Sequence, residues 1–201
     1  EFSKQVRLCG SGSAVRSVYG GFVEFTSGET HEESYAVQLY DENYWDLYDL
    51  VCIVDPSKKK VSSSKGHMDS NTSPFMKARQ IELSDRIKEV KKALSKKDLP
   101  SLGKCIEEEA ISMHAVMMTQ KPPLFYFEPG TISIIKQLID LREDKKILGY
   151  FTIDAGANVH VITDRANLTN LQMELEKNPF IKSIIVNKPF KGAFLSEDHL
   201  I

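Results

Sequence analysis

Leu148-Gly149-Tyr150-Phe151-Thr152-Ile153-Asp154-Ala155-Gly156-Ala157-Asn158-Val159-His160-Val161-Ile162-Thr163 reads as strand, turn, strand. Leu148 to Ile153 is apolar, with aromatic and β-branched residues that suit a half-buried pleated surface. Asp154 to Asn158 then supplies Asp, Gly and Asn, the residues that favour a tight reversal. Val159 to Thr163 is the returning strand. Asn167 to Lys177 follows with helical spacing, and Ile181 to Asn187 closes the stretch as another strand.

Working upstream, the period changes from two to 3.6. Phe75 to Leu94 reads as one amphipathic helix, entered through Thr72-Ser73-Pro74 with the proline at the first helical position. Asp98-Leu99-Pro100 starts a second, running through Cys105, Ile106, Ala110, Met113 and Met117 until Pro122-Pro123 breaks it. A third covers Thr131 to Arg142, with Ile132, Ile135, Leu138 and Ile139 on one stripe. Pro56 to Asn71 is a polar loop, Leu50 to Asp55 a buried strand, and Trp45 to Asp49 a single helical turn. Phe22 to Phe25 and Ser34 to Tyr40 read as two strands around a polar hairpin loop, Thr26 to Glu33. Helices set between antiparallel strands, with few parallel crossovers, argue for an α+β fold. The chain opens at Glu1 on what reads as the last turns of a helix, Glu1 to Leu8, without an initiator Met. The expectation is that the beginning of the fold lies before it.

The bulk numbers exclude several classes. In 201 residues, 41% are apolar and 27% charged, the balance of an ordinary globular chain. A formal net charge of −2 offers nothing to nucleic acid or an anionic membrane surface. No apolar run reaches the roughly 20 residues of a membrane span. Cys9, Cys52 and Cys105 lie far apart without paired spacing, which fits reduced packing thiols in a cytoplasmic protein and no metal framework.

Three polar stretches stand between the apolar elements. Gly10-Ser11-Gly12-Ser13-Ala14-Val15-Arg16-Ser17 offers backbone N–H groups, hydroxyls and a guanidinium fork, all suited to phosphate or carboxylate. It reads equally as a helix-to-strand turn with a solvent-facing arginine. Ser62-Ser63-Ser64-Lys65-Gly66-His67, after Lys58-Lys59-Lys60, is either an anion-capturing loop or a plain mobile connection. Asp154, leaving an apolar strand into a glycine turn, should be partly desolvated; it is either a turn-capping group or a catalytic base. Asn158 reads as a cap for the same turn. His114, in Ser112-Met113-His114, reads as a hydrogen-bonded core histidine.

Taken in order, these stretches resemble the mevalonate diphosphate decarboxylases. The resemblance rests on Gly10 to Ser17 with Tyr19-Gly20-Gly21-Phe22-Val23, on Ser62-Ser63, Gly66-His67-Met68 and Thr72-Ser73, on Ser112 to Ala115 with Pro122 to Tyr126, and on Asp154 to Asn158. Val15 stands where that family has Cys, Ala157 where it has Pro, and Ser64 and His67 where Arg and Met are common.

The resemblance implies a GHMP-kinase-type fold, a two-layer antiparallel sheet with helices, whose N-terminal portion is absent from this chain. Residues 1–55 would be the remainder of an N-terminal ribosomal-S5-like domain and 56–201 the C-terminal domain. It implies an ATP-dependent decarboxylase of mevalonate 5-diphosphate, with ATP and Mg2+ as substrate complex and a homodimeric assembly. Asp154 would orient or deprotonate the 3-hydroxyl, Arg16 would hold the substrate carboxylate, and Ser11 and Ser13 would bind the phosphoryl groups or the carboxylate. Ser62, Ser63 and Lys65 would hold nucleotide phosphates. The alternatives are a decarboxylase of mevalonate 5-phosphate, an ATP-independent decarboxylase of the 3,5-bisphosphate, a kinase that stops after phosphorylation, and a non-catalytic ligand-binding relative.

Overall fold

The computed structural model describes residues 3, 4, 6, 12–26, 28, 30, 32–56 and 69–194, with residues 12 and 13 described in their backbone only. Contacts divide the chain into two units, residues 1–46 with 188–201, and residues 47–187. The expected boundary after Asp55 differs from this division. Residues 47–55 contribute a central strand to the second unit, and the chain returns to the first at Lys188.

In the first unit, a short helix α1 (Gly12–Ser17) precedes an antiparallel hairpin of β1 (Phe22–Thr26) and β2 (Tyr35–Tyr40). The stretch expected as a tight turn is therefore helical from Gly12. Val15 is fully buried on it, which agrees with a packing role at that position. The Gly20-Gly21 pair is required by crowding. Gly21 has φ +68°, a left-handed conformation that side chains disfavour. A Cβ on Gly20 would lie 2.5 Å from the Gly192 nitrogen. The C-terminal segment seats itself there, with the Gly21 N–H donating to Phe190 O at 2.9 Å and the Ala193 N–H to Val18 O at 3.1 Å.

The second unit is built on a four-stranded antiparallel sheet in the order β4-β5-β3-β6. Its strands are β3 (Leu47–Ile53), β4 (Tyr150–Thr152), β5 (Val159–Asp164) and β6 (Ser183–Asn187). The expected helical turn at Trp45 to Asp49 is instead the entry to β3, where Leu47, Leu50 and Cys52 are all buried. Burial alternates along β5, and Val159 and Val161 join Leu50, Phe151 and Ile153 in the core. Burial, with the Asp49 charge second, pushes the Cys52 thiol up to about 12, so it stays a packing group.

Among the described residues, four α-helices complete this unit: α2 (Met76–Lys96), α3 (Leu99–Thr119), α4 (Pro129–Asp144) and α5 (Leu168–Leu175). Pro74 lies outside α2. A 3-10 turn at Ser70–Thr72 precedes it, and Ser73 Oγ bonds Thr119 Oγ1 at 2.7 Å, fastening the entry to the end of α3. Asp98 caps α3, accepting the Ser101 N–H at 3.1 Å, as its position before Leu-Pro suggested. On α4 the buried stripe is Ile134, Leu138 and Leu141, whereas Ile132 and Ile139 are exposed. The i, i+4, i+7 set faces the sheet, rotated from the expected stripe, because apolar residues occur on both sides of this helix. α3 lies along the edge strand β4, whose Phe151 N–H donates to Glu107 Oε1 at 3.1 Å.

Candidate functional site

Asp154 stands in the turn between β4 and β5, and its neighbours explain its posture. Ile153 and Ala155 are 1% and 3% exposed, so both face the core. The intervening Asp154 side chain is turned outward and exposed.

Two side chains from other elements hold this turn by its backbone, and one side chain of its own ties it to β3. His114, on α3, places Nε2 2.9 Å from the Asp154 carbonyl oxygen. Thr131, in the first turn of α4, donates its hydroxyl to the Ala157 carbonyl at 2.7 Å. Asn158 Oδ1 accepts the Val54 N–H at 2.9 Å and the Asp55 N–H at 3.1 Å, tying the end of the turn to the exit of β3. Asn158 therefore acts across the sheet and not merely as a local cap. Among these, Thr131 carried only a helix-start signal in the sequence. Its hydroxyl also accepts the Glu128 N–H at 3.2 Å, the reciprocal half of a capping box.

The wall behind the turn is aromatic. The His114 ring is buried, 4.4 Å from the Phe127 centroid and 6.2 Å, edge-on, from that of Tyr126. Burial holds the His114 pKa below its usual value, although hydrogen bonds to the backbone of Asp154 and Ile153 and the Asp154 charge push it up. Burial, and then the Asp154 charge, raises the pKa of Tyr126. The Tyr126 hydroxyl is buried and has no hydrogen-bond partner among the described residues. A carboxylate backed by a neutral imidazole and a neutral phenol is poised to accept a proton or a hydrogen bond from a hydroxyl in front of it.

Residues 49–192 match the family model described as the mevalonate 5-diphosphate decarboxylase C-terminal domain, and residues 1–36 match the diphosphomevalonate decarboxylase-like N-terminal domain. The chain belongs to the mevalonate diphosphate decarboxylase family. Diphosphomevalonate decarboxylase of Candida albicans is 31% identical over 172 residues, which is 83% of this chain and 47% of that protein. The Danio rerio enzyme is 30% identical over 202 residues, 94% of this chain and 50% of its own length. The chain thus spans about half the length of the curated relatives it matches.

Solved structures of mevalonate diphosphate decarboxylases share the fold. The Staphylococcus aureus structure aligns with TM-score 0.88 and 33% identity, over 94% of this chain and 58% of that one. A complex of MDDEF with MVAPP, AMPPCP and magnesium aligns with TM-score 0.87 and 31% identity, over 94% and 58%. The α+β expectation and the GHMP-kinase-type fold hold.

Of the family's expected site residues, the structure describes two in full. Asp154 is an exposed carboxylate of the second unit. Arg16 belongs to the first unit, near the end of α1, where its side chain is exposed. Ser13 lies on the same helix, but its hydroxyl is outside the described atoms, and Ser11, Ser62, Ser63 and Lys65 lie outside the described residues. Among the described residues no group of three or more His, Cys, Asp or Glu could hold a metal ion, and no helix is long and apolar enough to cross a membrane.

Proposed function

We propose that the full-length protein decarboxylates mevalonate 5-diphosphate in an ATP-dependent reaction. The observation that carries this reading is the backbone-pinned, outward-facing Asp154 in a chain of the mevalonate diphosphate decarboxylase family. ATP, entering with Mg2+, transfers its terminal phosphoryl group to the tertiary 3-hydroxyl, leaving ADP. The C3–O bond then breaks and phosphate leaves with its electron pair. The C1–C2 bond breaks as well, and its electrons form the C2–C3 double bond, so carbon dioxide departs and isopentenyl diphosphate remains.

Asp154 orients the 3-hydroxyl and takes its proton as the phosphoryl group arrives, work that a carboxylate does within hydrogen-bond reach. Arg16 holds the substrate carboxylate with its planar fork, aligning the bond that breaks. Ser11 and Ser13 bind the 5-phosphoryl groups or the carboxylate, and Ser62, Ser63 and Lys65 take the nucleotide phosphates. The acting assembly is a cytoplasmic homodimer. Support for the substrate comes from a relative solved with MVAPP, AMPPCP and magnesium, and from a solved structure of the Enterococcus faecalis enzyme, described as bearing on mevalonate diphosphate mediated ATP binding.

The deciding experiment supplies full-length protein with mevalonate 5-phosphate, 5-diphosphate or 3,5-bisphosphate, with and without Mg-ATP. Carbon dioxide and inorganic phosphate are measured. Release of both from the 5-diphosphate, only with ATP, is expected. Carbon dioxide from the bisphosphate without ATP overturns the reading. Asp154→Asn should lower kcat by about 100- to 10,000-fold while substrate binding survives; near-normal turnover would remove Asp154 from the chemistry.

A further inference from the structure

We infer that His114 is a positioning residue for Asp154, acting through the Asp154 main chain and not on the substrate. The inference rests on the catalytic reading of Asp154 given above. His114 is 1% exposed on α3, forty positions from Asp154 in sequence, yet its Nε2 lies 2.9 Å from the Asp154 carbonyl oxygen. A carbonyl only accepts, so the proton of this bond sits on Nε2. The ring cannot swing away, because Phe127 lies against it at 4.4 Å and Tyr126 meets it edge-on.

A buried histidine could satisfy its ring on any carbonyl. The one it holds belongs to the residue whose side chain points out of the turn. Fixing that carbonyl fixes ψ of Asp154, while Ile153 on one side and Ala155 on the other are sunk in the core. A catalytic group built on a loop owes its precision to neighbours of this kind.

Two variants of the full-length protein separate the hydrogen bond from the packing. His114→Phe keeps a ring and loses the donor; His114→Gln keeps an N–H at nearly the reach of Nε2. With His114→Phe, kcat should fall roughly ten- to hundredfold at a KM within about twofold of the parent, the signature of a displaced reacting group. His114→Gln should recover most of that loss. Equal kcat in parent and His114→Phe overturns the inference, as does a folded His114→Gln as impaired as His114→Phe. Nitrogen-15 spectra of the histidine rings give a readout without turnover: His114 should be the neutral Nε2–H tautomer with a slowly exchanging proton. Finding the proton on Nδ1 overturns the contact even if His114→Phe fails to fold. Should Asp154→Asn retain full turnover while the tautomer is as stated, the catalytic reading of Asp154 is what has failed.

Discussion

The Thr131 hydroxyl donates to the Ala157 carbonyl at 2.7 Å and accepts the Glu128 N–H at 3.2 Å, so one buried oxygen serves both a helix start and the turn that carries Asp154. Thr131→Val is nearly isosteric and removes both bonds. The carbonyl of half-buried Ala157 and the helix-start N–H of exposed Glu128 then lose their partners, which costs about 1–2 kcal/mol. Chemical denaturation should show that loss, and Thr131→Ser should restore most of it. A Val variant as stable as the parent would mean that the hydroxyl is not the pin.

Asn158 leads to a different kind of test, because one of its two partners can reach water. Its Oδ1 accepts the Val54 and Asp55 amides, of which Asp55 is exposed. Asn158→Ala should therefore cost only about 1 kcal/mol. Its clearer mark should be local. Amide hydrogen exchange at Val54 and Asp55 should speed up, while amides within β5 keep their protection. Asn158→Asp, which retains an acceptor oxygen, should leave both amides slow.

These pins also show what can be read from a chain and what cannot. The strand-turn-strand around Asp154 was legible because apolar alternation and turn chemistry are local properties of Leu148 to Thr163. The helix α3 was legible from Asp98-Leu99-Pro100, again a local signal. By contrast, Asn158 and Val54 are 104 positions apart, and Thr131 and Ala157 are 26 apart. Nothing in either residue's neighbourhood names its partner. The stripe on α4 is ambiguous in the sequence, because Ile132 and Ile139 are as apolar as Ile134 and only the sheet decides which side is covered. Trp45 to Asp49 reads as a helical turn in isolation, yet tertiary pairing of Leu47 with Asp164 makes it strand. The short α1 was missed since its Gly and Ser residues carry weak helix propensity.

Acid should loosen the second unit in two separate steps. Burial keeps the His114 pKa below that of an unfolded histidine, about 6.5. The unfolded chain therefore takes up the proton first, and stability falls as pH drops from about 6.5 towards the folded value. The groups facing the ring, Asp154 and its carbonyl, Tyr126 and the Ile153 backbone, are all neutral donors or acceptors save the Asp154 carboxylate. Glu109 behaves differently. Burial pushes its carboxyl up, but hydrogen bonds and charge from Arg79 and Arg86 outweigh that and hold it low. Its contribution is present above the unfolded carboxyl pKa, about 4.3, and is lost below it. Glu107, held high by burial, acts in the opposite sense, so melting temperature measured from pH 7.5 to 5 should fall further, or rise less, in the parent than in His114→Gln. Parallel curves for the two would remove His114 from the acid response.

The last relationship sets how firmly α3 is held to the edge of the sheet. Glu107 accepts Arg142 Nη1 at 2.9 Å and Nη2 at 3.2 Å as well as the Phe151 N–H, while Arg142 also donates to Gly149 O at 2.6 Å. The guanidinium lies 4.7 Å from the Tyr150 ring centroid, and that ring packs where Gly103 leaves room on α3. Burial dominates the Glu107 carboxyl and raises its pKa, in spite of the opposing charge and hydrogen bonds of Arg142 and Phe151. The pair is thus costly to bury and costly to break. Glu107→Leu leaves an uncompensated guanidinium and an unpaired strand N–H, a loss of about 3–5 kcal/mol. Adding Arg142→Met to it should recover a large part, because no charge then remains buried without a partner. Denaturation midpoints of the parent, both single variants and the double variant complete the cycle. Additive losses would show that the two side chains stabilise this edge independently, and that the fork between them contributes nothing of its own.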